Sequence, residues 1–394
     1  MLNFSFYNPT NIVFGEGQLQ KLDNLVPKDA KVLITYGGGS AKKTGLLDRV
    51  NTELAKSSRT VVEFGGIPAN PKFEVLMDAI KIVRDKQIDF ILAVGGGSVI
   101  DGTKFIALAA PAQAYEGKEK ELMHFGFTPV PVDSAIPFGT VLTLPATGSE
   151  MNNGAVISDG EDKLPVFSTH TFPKFSILDP KLTFTLPKTQ VANGVVDTFI
   201  HTIEQYLTYP AEGRFQDRTA EGILQTLIEI GETTVNEPEN YDARANLVWC
   251  STMALNGLIG AGVPQDWTTH MIGHELTALT GLDHAKTLAV MQLANWKVRR
   301  AEKREKLIQY AERVWDIREG DDDARIDQAI AKTEEFFNNI GMATRLSDYE
   351  IGPDIVDRVV AGLEKHGMTK LSERGDVSPE ISRKMLETAL YEPS

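Results

Sequence analysis

Three of the chain's seven histidines, His270, His274 and His284, fall within fifteen consecutive positions. His270 and His274 stand four apart, and so do Asp197 and His201 earlier in the chain. On a helix, residues i and i+4 lie one above the other, so each pair would present two metal-binding side chains together. Imidazole and carboxylate suit Fe(II), Zn(II) and related ions. A lone histidine is more often a satisfied structural group. Two helical pairs together with His284 make a metal the better explanation. His124, His170 and His366 lack such company and read as structural. The string His274-Glu275 opens like a metalloprotease motif, but H-E-x-x-H needs a histidine at 278, where Ala278 stands.

The elements around these residues must be helices. Between Val191 and Leu207, the residues Val196, Ile200, Ile203 and Leu207 form an apolar stripe about a quarter-turn from Asp197 and His201. That placement predicts a pair on the margin of a buried face. Further on, Gly281 reads as a helix stop, Asp283 as the N-cap of the next helix and His284 as its first residue.

A second chemistry is carried by glycine. The apolar run Lys31–Tyr36 breaks into Gly37-Gly38-Gly39-Ser40, and Phe90–Val94 breaks into Gly95-Gly96-Gly97-Ser98. Each run reads as a buried strand leading into a helical pattern, the context of a phosphate cradle: glycine admits close approach, and a helix start offers free N–H groups. Ser98-Val99-Ile100-Asp101 adds a capping residue and an acid at the second loop. Neither loop is G-x-G-x-x-G. The first is a near miss to the P-loop, with Lys42 where the sixth-position glycine belongs, which counts against a nucleotide triphosphatase. The first strand end offers no acid to accept from an adenosine 2′-hydroxyl. It does have Lys42, Lys43 and Lys163 as available cations. That pattern favours NADP(H) over NAD(H).

Strands at 31–36, 60–64, 90–94 and 140–144, with a helix over 73–85, predict a mostly parallel, Rossmann-like α/β domain. From Leu186-Pro187 onward, helical periodicities take over, among them 190–208, 243–259 and 301–315. The expected organisation is an α/β domain over 1–186 and an all-α domain over 187–394, since 394 residues exceed one ordinary core.

Lys and Arg number 40 against 54 Asp and Glu, a net charge of −14, which argues against nucleic-acid or anionic-membrane partners. Cys250 is the single cysteine, so no intramolecular disulfide can form, and no apolar run is long enough to span a bilayer. A cytoplasmic protein is expected. Met1–Tyr7 alternates apolar and polar residues and reads as a strand, one that could pair across a two-fold axis to give a homodimer.

With these residues in view, the chain resembles the iron-containing alcohol dehydrogenases, and within them the NADPH-dependent aldehyde reductase and butanol dehydrogenase branch. The likeness runs through 8–15, 95–101, Leu144-Pro-Ala-Thr-Gly-Ser-Glu150, 193–197 and Gly281-Leu-Asp-His284, and covers essentially the whole chain. It implies a dehydroquinate synthase-like plan with the active site in the cleft between the domains. It implies Asp197, His201, His270 and His284 as ligands of one Fe2+ or Zn2+, leaving His274 as a proton-relay or substrate-side group. It places Gly38, Gly39 and Ser40 near the cofactor's adenosine end and Gly96, Gly97, Ser98 and Asp101 at the diphosphate, with Thr143, Thr147, Asn152 and Lys163 lining the cofactor. The implied reaction is reversible reduction of short-chain aldehydes to alcohols. Two departures stand out: Gly39-Ser40 replaces the Asp of NAD-using relatives, and Met291–Asn295 lacks the proline that related reductases carry. The alternative on the same plan is an NAD- and metal-dependent dehydroquinate synthase-like lyase. Its phosphorylated substrate would need basic residues that the 270–284 stretch lacks.

Overall fold

The computed structural model describes residues 1–391; the last three positions of the expected helical domain, 392–394, lie outside the described residues. The chain sorts into two compact units. A sheet unit gathers Tyr7–Leu186 and Pro238–Thr252, and a helical unit gathers Met1–Phe6, Pro187–Glu237 and Met253–Ser394. Residues 1–6 therefore group with the helical unit and 238–252 with the sheet unit, which a single cut in the chain does not capture.

In the sheet unit, strands β1 (Asn11–Phe14), β2 (Lys31–Tyr36), β3 (Thr60–Phe64), β4 (Phe90–Gly95), β5 (Phe138–Leu142) and β8 (Phe175–Leu178) form one parallel sheet in the order β1-β8-β5-β4-β2-β3. β6 (Gly154–Asp159) and β7 (Asp162–Phe167) make a separate antiparallel hairpin. The helices of this unit are α1 (Leu22–Leu25), α2 (Ser40–Lys43), α3 (Leu46–Leu54), α4 (Phe73–Lys86) and α5 (Gly97–Ala109). β4 is buried at every position, as a central strand covered on both faces must be. Its alternation divides the core. Ile91 and Ala93 pack with Leu76 and Ile80 of α4 and with Ile100 and Phe105 of α5. Phe90, Leu92 and Val94 pack on the other side with Leu22 of α1 and Leu47 and Val50 of α3.

Three local expectations are corrected. The strand expected at 140–144 is β5, two residues earlier, because Thr143 already begins the turn. Met1–Tyr7 belongs to no strand: its alternation meets no neighbouring strand, and Leu2 N instead donates to Gly262 O at 2.8 Å. Ser98 is not a cap but lies inside the first turn of α5, where its Oγ accepts from Asn70 N at 3.2 Å.

The helical unit holds α6 (Lys188–Tyr206), α7 (Arg214–Asn236), the end of α8 (Tyr241–Ala254), α9 (Thr268–Thr280), α10 (His284–Val298), α11 (Arg304–Trp315), α12 (Asp322–Asn339), α13 (Asp354–Lys365) and α14 (Pro379–Leu390). α6 is not half-buried as its apolar stripe predicts; from Val191 to Tyr206 every residue but Asn193 is buried. Gly281, left-handed at φ 73°, ends α9, and α10 starts three residues beyond it with Asp283 at the N-cap position. The Asp283 carboxylate does not cap that helix; it accepts from Asn193 Nδ2 at 3.1 Å and pairs with Lys286. Ile272 and Leu276 on the back of α9 pack with residues of α10, α13 and α14, which fixes the helix that carries His270 and His274. No helix among the described residues is long and apolar enough to cross a membrane.

Candidate metal centre and dinucleotide loops

Three helices bring the sequence-selected donors together. Asp197 and His201 lie on successive turns of α6, with His201 Nδ1 3.6 Å from Asp197 Oδ1. His270 Nε2 from α9 lies 3.9 Å from the same oxygen, and His284 Nε2 from the first residue of α10 lies 3.8 Å from it. The His201 and His270 rings stack with centroids 4.5 Å apart. Donors sharing one ion at bonds of about 2.1 Å would stand roughly 3.4 Å apart in tetrahedral geometry, so little adjustment is needed. Asp197, His201 and His270 are all buried, with ligating atoms within 4.8 Å of one another.

The residues fit a metal on a second ground. His270 Nε2 is buried with no hydrogen-bond partner among the described residues. Such an atom calls for a partner that the protein itself does not supply. Burial also pushes the His270 imidazolium down to about 3, so the ring is neutral near pH 7, the form that binds metals. His274 sits one turn on, its ring centroid 4.9 Å from that of His284 and 6.1 Å, edge-on, from that of His270. It stands beside the donors His270 and His284.

Two residues that sequence reasoning missed hold this arrangement. Glu204, buried on α6, accepts from Thr269 N at 2.6 Å and from His270 N at 3.2 Å, and pairs with His270 Nδ1. Burial and the nearby Asp266 carboxylate push the Glu204 carboxyl well above its ordinary range, opposed by the Thr269 and His270 N–H groups and by Lys303. Asp266 accepts from Thr268 N at 3.2 Å and pairs with Lys303 at 2.9 Å. A signal for Glu204 was available: it stands seven residues after Asp197, on the same helical stripe.

The dinucleotide residues lie in the sheet unit. β2 and β4 are neighbours whose chains leave toward opposite sides, β2 leading to β3 and β4 to β5. That is a topological switch point, where α/β sheets bind ligands. The register pairs Tyr36 with Val94 and Gly95 with Leu142, so Gly37 leaves the sheet level with Gly95, and Gly96 and Thr143 leave it one residue further on. Gly37–Ser40 lead into α2, and Gly95–Ser98 into α5.

Several of the polar residues expected here have protein partners. Asp101 accepts from Ser149 Oγ at 2.6 Å and from Val156 N at 2.9 Å, which ties α5 to the hairpin. Lys104, a third missed residue, is buried and donates at 2.8 Å to each of Ser149 Oγ, Asn152 Oδ1 and Gly154 O. Its signal was the Asp101-x-x-Lys104 spacing on one helix. Thr147 Oγ1 accepts from Ser149 N at 3.2 Å, and Lys163 Nζ donates to Asn70 Oδ1 at 2.6 Å.

A parallel dinucleotide-type sheet together with a three-histidine, one-aspartate helical centre defines a class of metal-dependent dehydrogenase folds. Residues 9–180 match the model for iron-containing alcohol dehydrogenase, and 191–370 match that of the C-terminal region of the Fe-containing alcohol dehydrogenase family. The chain belongs to the iron-containing alcohol dehydrogenase family. It is 55% identical over 398 residues to the NADPH-dependent aldehyde reductase YqhD of Escherichia coli K12, spanning 99% of this chain and 100% of that one. The probable NADH-dependent butanol dehydrogenase 1 of Bacillus subtilis is 41% identical over 91% of this chain and 92% of its own length. The crystal structure of E. coli YqhD superposes with a TM-score of 0.95, covering 98% of this chain and 99% of that one.

Proposed function

We propose that this protein reduces short-chain aldehydes to alcohols with NADPH, reversibly, at a centre holding one Fe2+ or Zn2+. The observation that carries this reading is the convergence of Asp197, His201, His270 and His284 on one point, in a chain 55% identical to an NADPH-dependent aldehyde reductase. When bound, the metal supplies a Lewis acid for the carbonyl oxygen and the dinucleotide supplies the hydride. The chain's own residues do the rest. The four donors hold the ion, one of them anionic. His274, beside His284, is placed to pass a proton toward product oxygen through an imidazole nitrogen.

Gly38, Gly39 and Ser40 take the adenosine end of the cofactor, where the uncharged loop accommodates the extra phosphate. Gly96, Gly97 and Ser98 take the diphosphate at the start of α5. Gly37, Gly95, Asp101, Thr143, Thr147, Asn152 and Lys163 complete the cofactor wall, Asp101 and Asn152 by holding its frame. The sheet unit is thus the dinucleotide-binding domain, and the helical unit the metal-binding one. The lyase alternative is not favoured, since the relatives described above are redox enzymes.

The exposed apolar side chains Met1, Leu2, Phe4, Phe6 and Tyr7 support a homodimer built through that segment. The lone, buried Cys250 accords with a cytoplasmic setting. The testing experiment is steady-state NADPH oxidation by metal-loaded protein with butanal, run in parallel with NADH. Turnover that prefers NADPH is the expected result. No turnover with any short aldehyde, metal and cofactor being bound, sinks the reading.

A further inference from the structure

We propose that Glu204 is the positioning residue of the metal centre: from α6 it fixes both the start of α9 and the ring of His270, so that one helix supplies two ligands and sets a third. The inference rests on the metal-centre reading above. Asp197, His201 and Glu204 occupy positions i, i+4 and i+7 of α6 and so share one stripe. The Glu204 side chain is wholly buried. Oε1 accepts from Thr269 N at 2.6 Å, and Oε2 accepts from His270 N at 3.2 Å and also pairs with His270 Nδ1.

Those two N–H groups lie in the first turn of α9, where a helix has no acceptors of its own. The residue at the N-cap is Trp267, held left-handed at φ 62° and making no side-chain cap bond. Its indole carries a donor but no acceptor. Glu204 therefore does the work of a capping side chain, delivered from another helix. Its backbone adds a further tie, Glu204 O accepting from Asp266 N at 2.8 Å.

The ring bond is what distinguishes positioning from capping. With Nδ1 donating to the carboxylate, the lone pair of His270 is left on Nε2, the atom that faces Asp197 Oδ1 at 3.9 Å. One carboxylate holds both the backbone and the ring of His270, so the ring cannot turn without disturbing the helix start. Partners of this kind fix the tautomer and orientation of a ligating histidine.

The test is zinc affinity by chelator competition on metal-free protein, wild type against Glu204→Gln, with visible spectra of both after cobalt(II) loading. Glutamine keeps one acceptor oxygen for the helix start but loses the second oxygen, the one that meets Nδ1. Zinc binding about 10- to 100-fold weaker, with shifted cobalt bands and an apo-protein that still unfolds cooperatively, is the expected result. Unchanged affinity and an unchanged cobalt spectrum would overturn the inference and leave Glu204 a cap alone. Wild-type protein that binds neither ion overturns the metal reading itself, a separate outcome. If Glu204→Gln does not fold, nitrogen NMR of the histidine rings in zinc-loaded wild type decides. His270 protonated at Nδ1 and metal-bound at Nε2 is expected; the reverse assignment refutes the proposal.

Discussion

In the helical unit the site is built of side chains, three donors from three different helical positions standing 3.6 to 3.9 Å from one aspartate oxygen. In the sheet unit the candidate dinucleotide site is built of backbone, and there two identical Gly-Gly-Gly-Ser runs use glycine for different reasons. At the second run, a Cβ on Gly95 would lie 2.6 Å from Val99 Cγ2, and one on Gly97 would lie 2.4 Å from Thr147 Oγ1. Those glycines let α5 and the 144–147 turn close on the end of β4. At the first run, nothing among the described residues comes within 4 Å of a Cβ on Gly38 or Gly39, and only Gly39, at φ 108°, needs glycine's backbone freedom. One run makes tight packing possible. The other keeps space open, which is what a bulky adenosine phosphate would require.

The largest expected effect breaks the side-chain half of this contrast. His270→Ala removes a ligand and leaves Glu204 facing a cavity. Bound metal should fall from one per chain to near none, and aldehyde reduction by roughly 10³-fold, about 4 kcal/mol of barrier. Metal analysis and steady-state NADPH oxidation check it, and activity within tenfold of wild type would remove the metal from the argument. The next effect probes the open loop. Gly38→Asp has room for its side chain and sets a carboxylate just beyond the end of β2, where it would repel a 2′-phosphate and accept from a ribose hydroxyl. The preference for NADPH over NADH, as a ratio of kcat/KM, should drop about 10- to 100-fold with the melting temperature unmoved. An unchanged ratio would place the adenosine end elsewhere.

The same contrast explains what the sequence made legible. Asp197 and His201 could be found as candidate donors because their side chains are distinctive and an i, i+4 spacing states their geometry directly, but the same spacing pairs His270 with His274, and only the resemblance to the family selects His284 in its place. Glu204 escaped because its partners lie 65 and 66 residues downstream, a distance over which periodicity carries no information. The glycine loops were visible as runs, but their two separate uses were not, since Val99 and Thr147 crowd one loop only after folding. Strands β2, β3, β4 and β5 and helix α4 followed from apolar runs and helical spacing, whereas β1 and the short buried β8 were not read as strands. The β6–β7 hairpin did not follow either, because β7 is only partly buried along most of its length and shows no clean alternation. Met1–Tyr7 shows the reverse failure, since alternation predicts a strand only where a neighbouring strand exists to pair with it.

Gly97→Ala sharpens the packing half of the comparison. The new methyl meets the short Thr147 side chain at its Cβ as well as its tips, so the neighbour cannot simply swing away. Overpacking of this kind should cost about 1–3 kcal/mol, read as a lower urea midpoint. Gly38→Ala, made as the control, should leave that midpoint in place. Equal effects in the two variants would mean that the loops do not differ as described.

The smallest effect compares two buried lysines, Lys104 in the sheet unit and Lys303 in the helical unit. Burial pulls Lys104 down to about 8, against the opposing pull of Asp101 and Glu150. Burial acts on Lys303 too, but Asp266 and Glu373 outweigh it and raise that ammonium above its ordinary value. Above about pH 8 the folded protein releases the Lys104 proton, whereas the unfolded chain keeps it until about 10.5. Between those values the unfolded state binds more protons, so stability from this group rises with pH, by at most about 1.4 kcal/mol per unit. Lys303 adds no slope in that window, because both its folded and unfolded forms stay charged there. Urea midpoints at pH 8 and pH 9 should therefore rise more in wild type than in Lys104→Met. Parallel curves for the two proteins would show that the Ser149, Asn152 and Gly154 acceptors keep Lys104 charged throughout, and would make the two units alike in how they bury a cation.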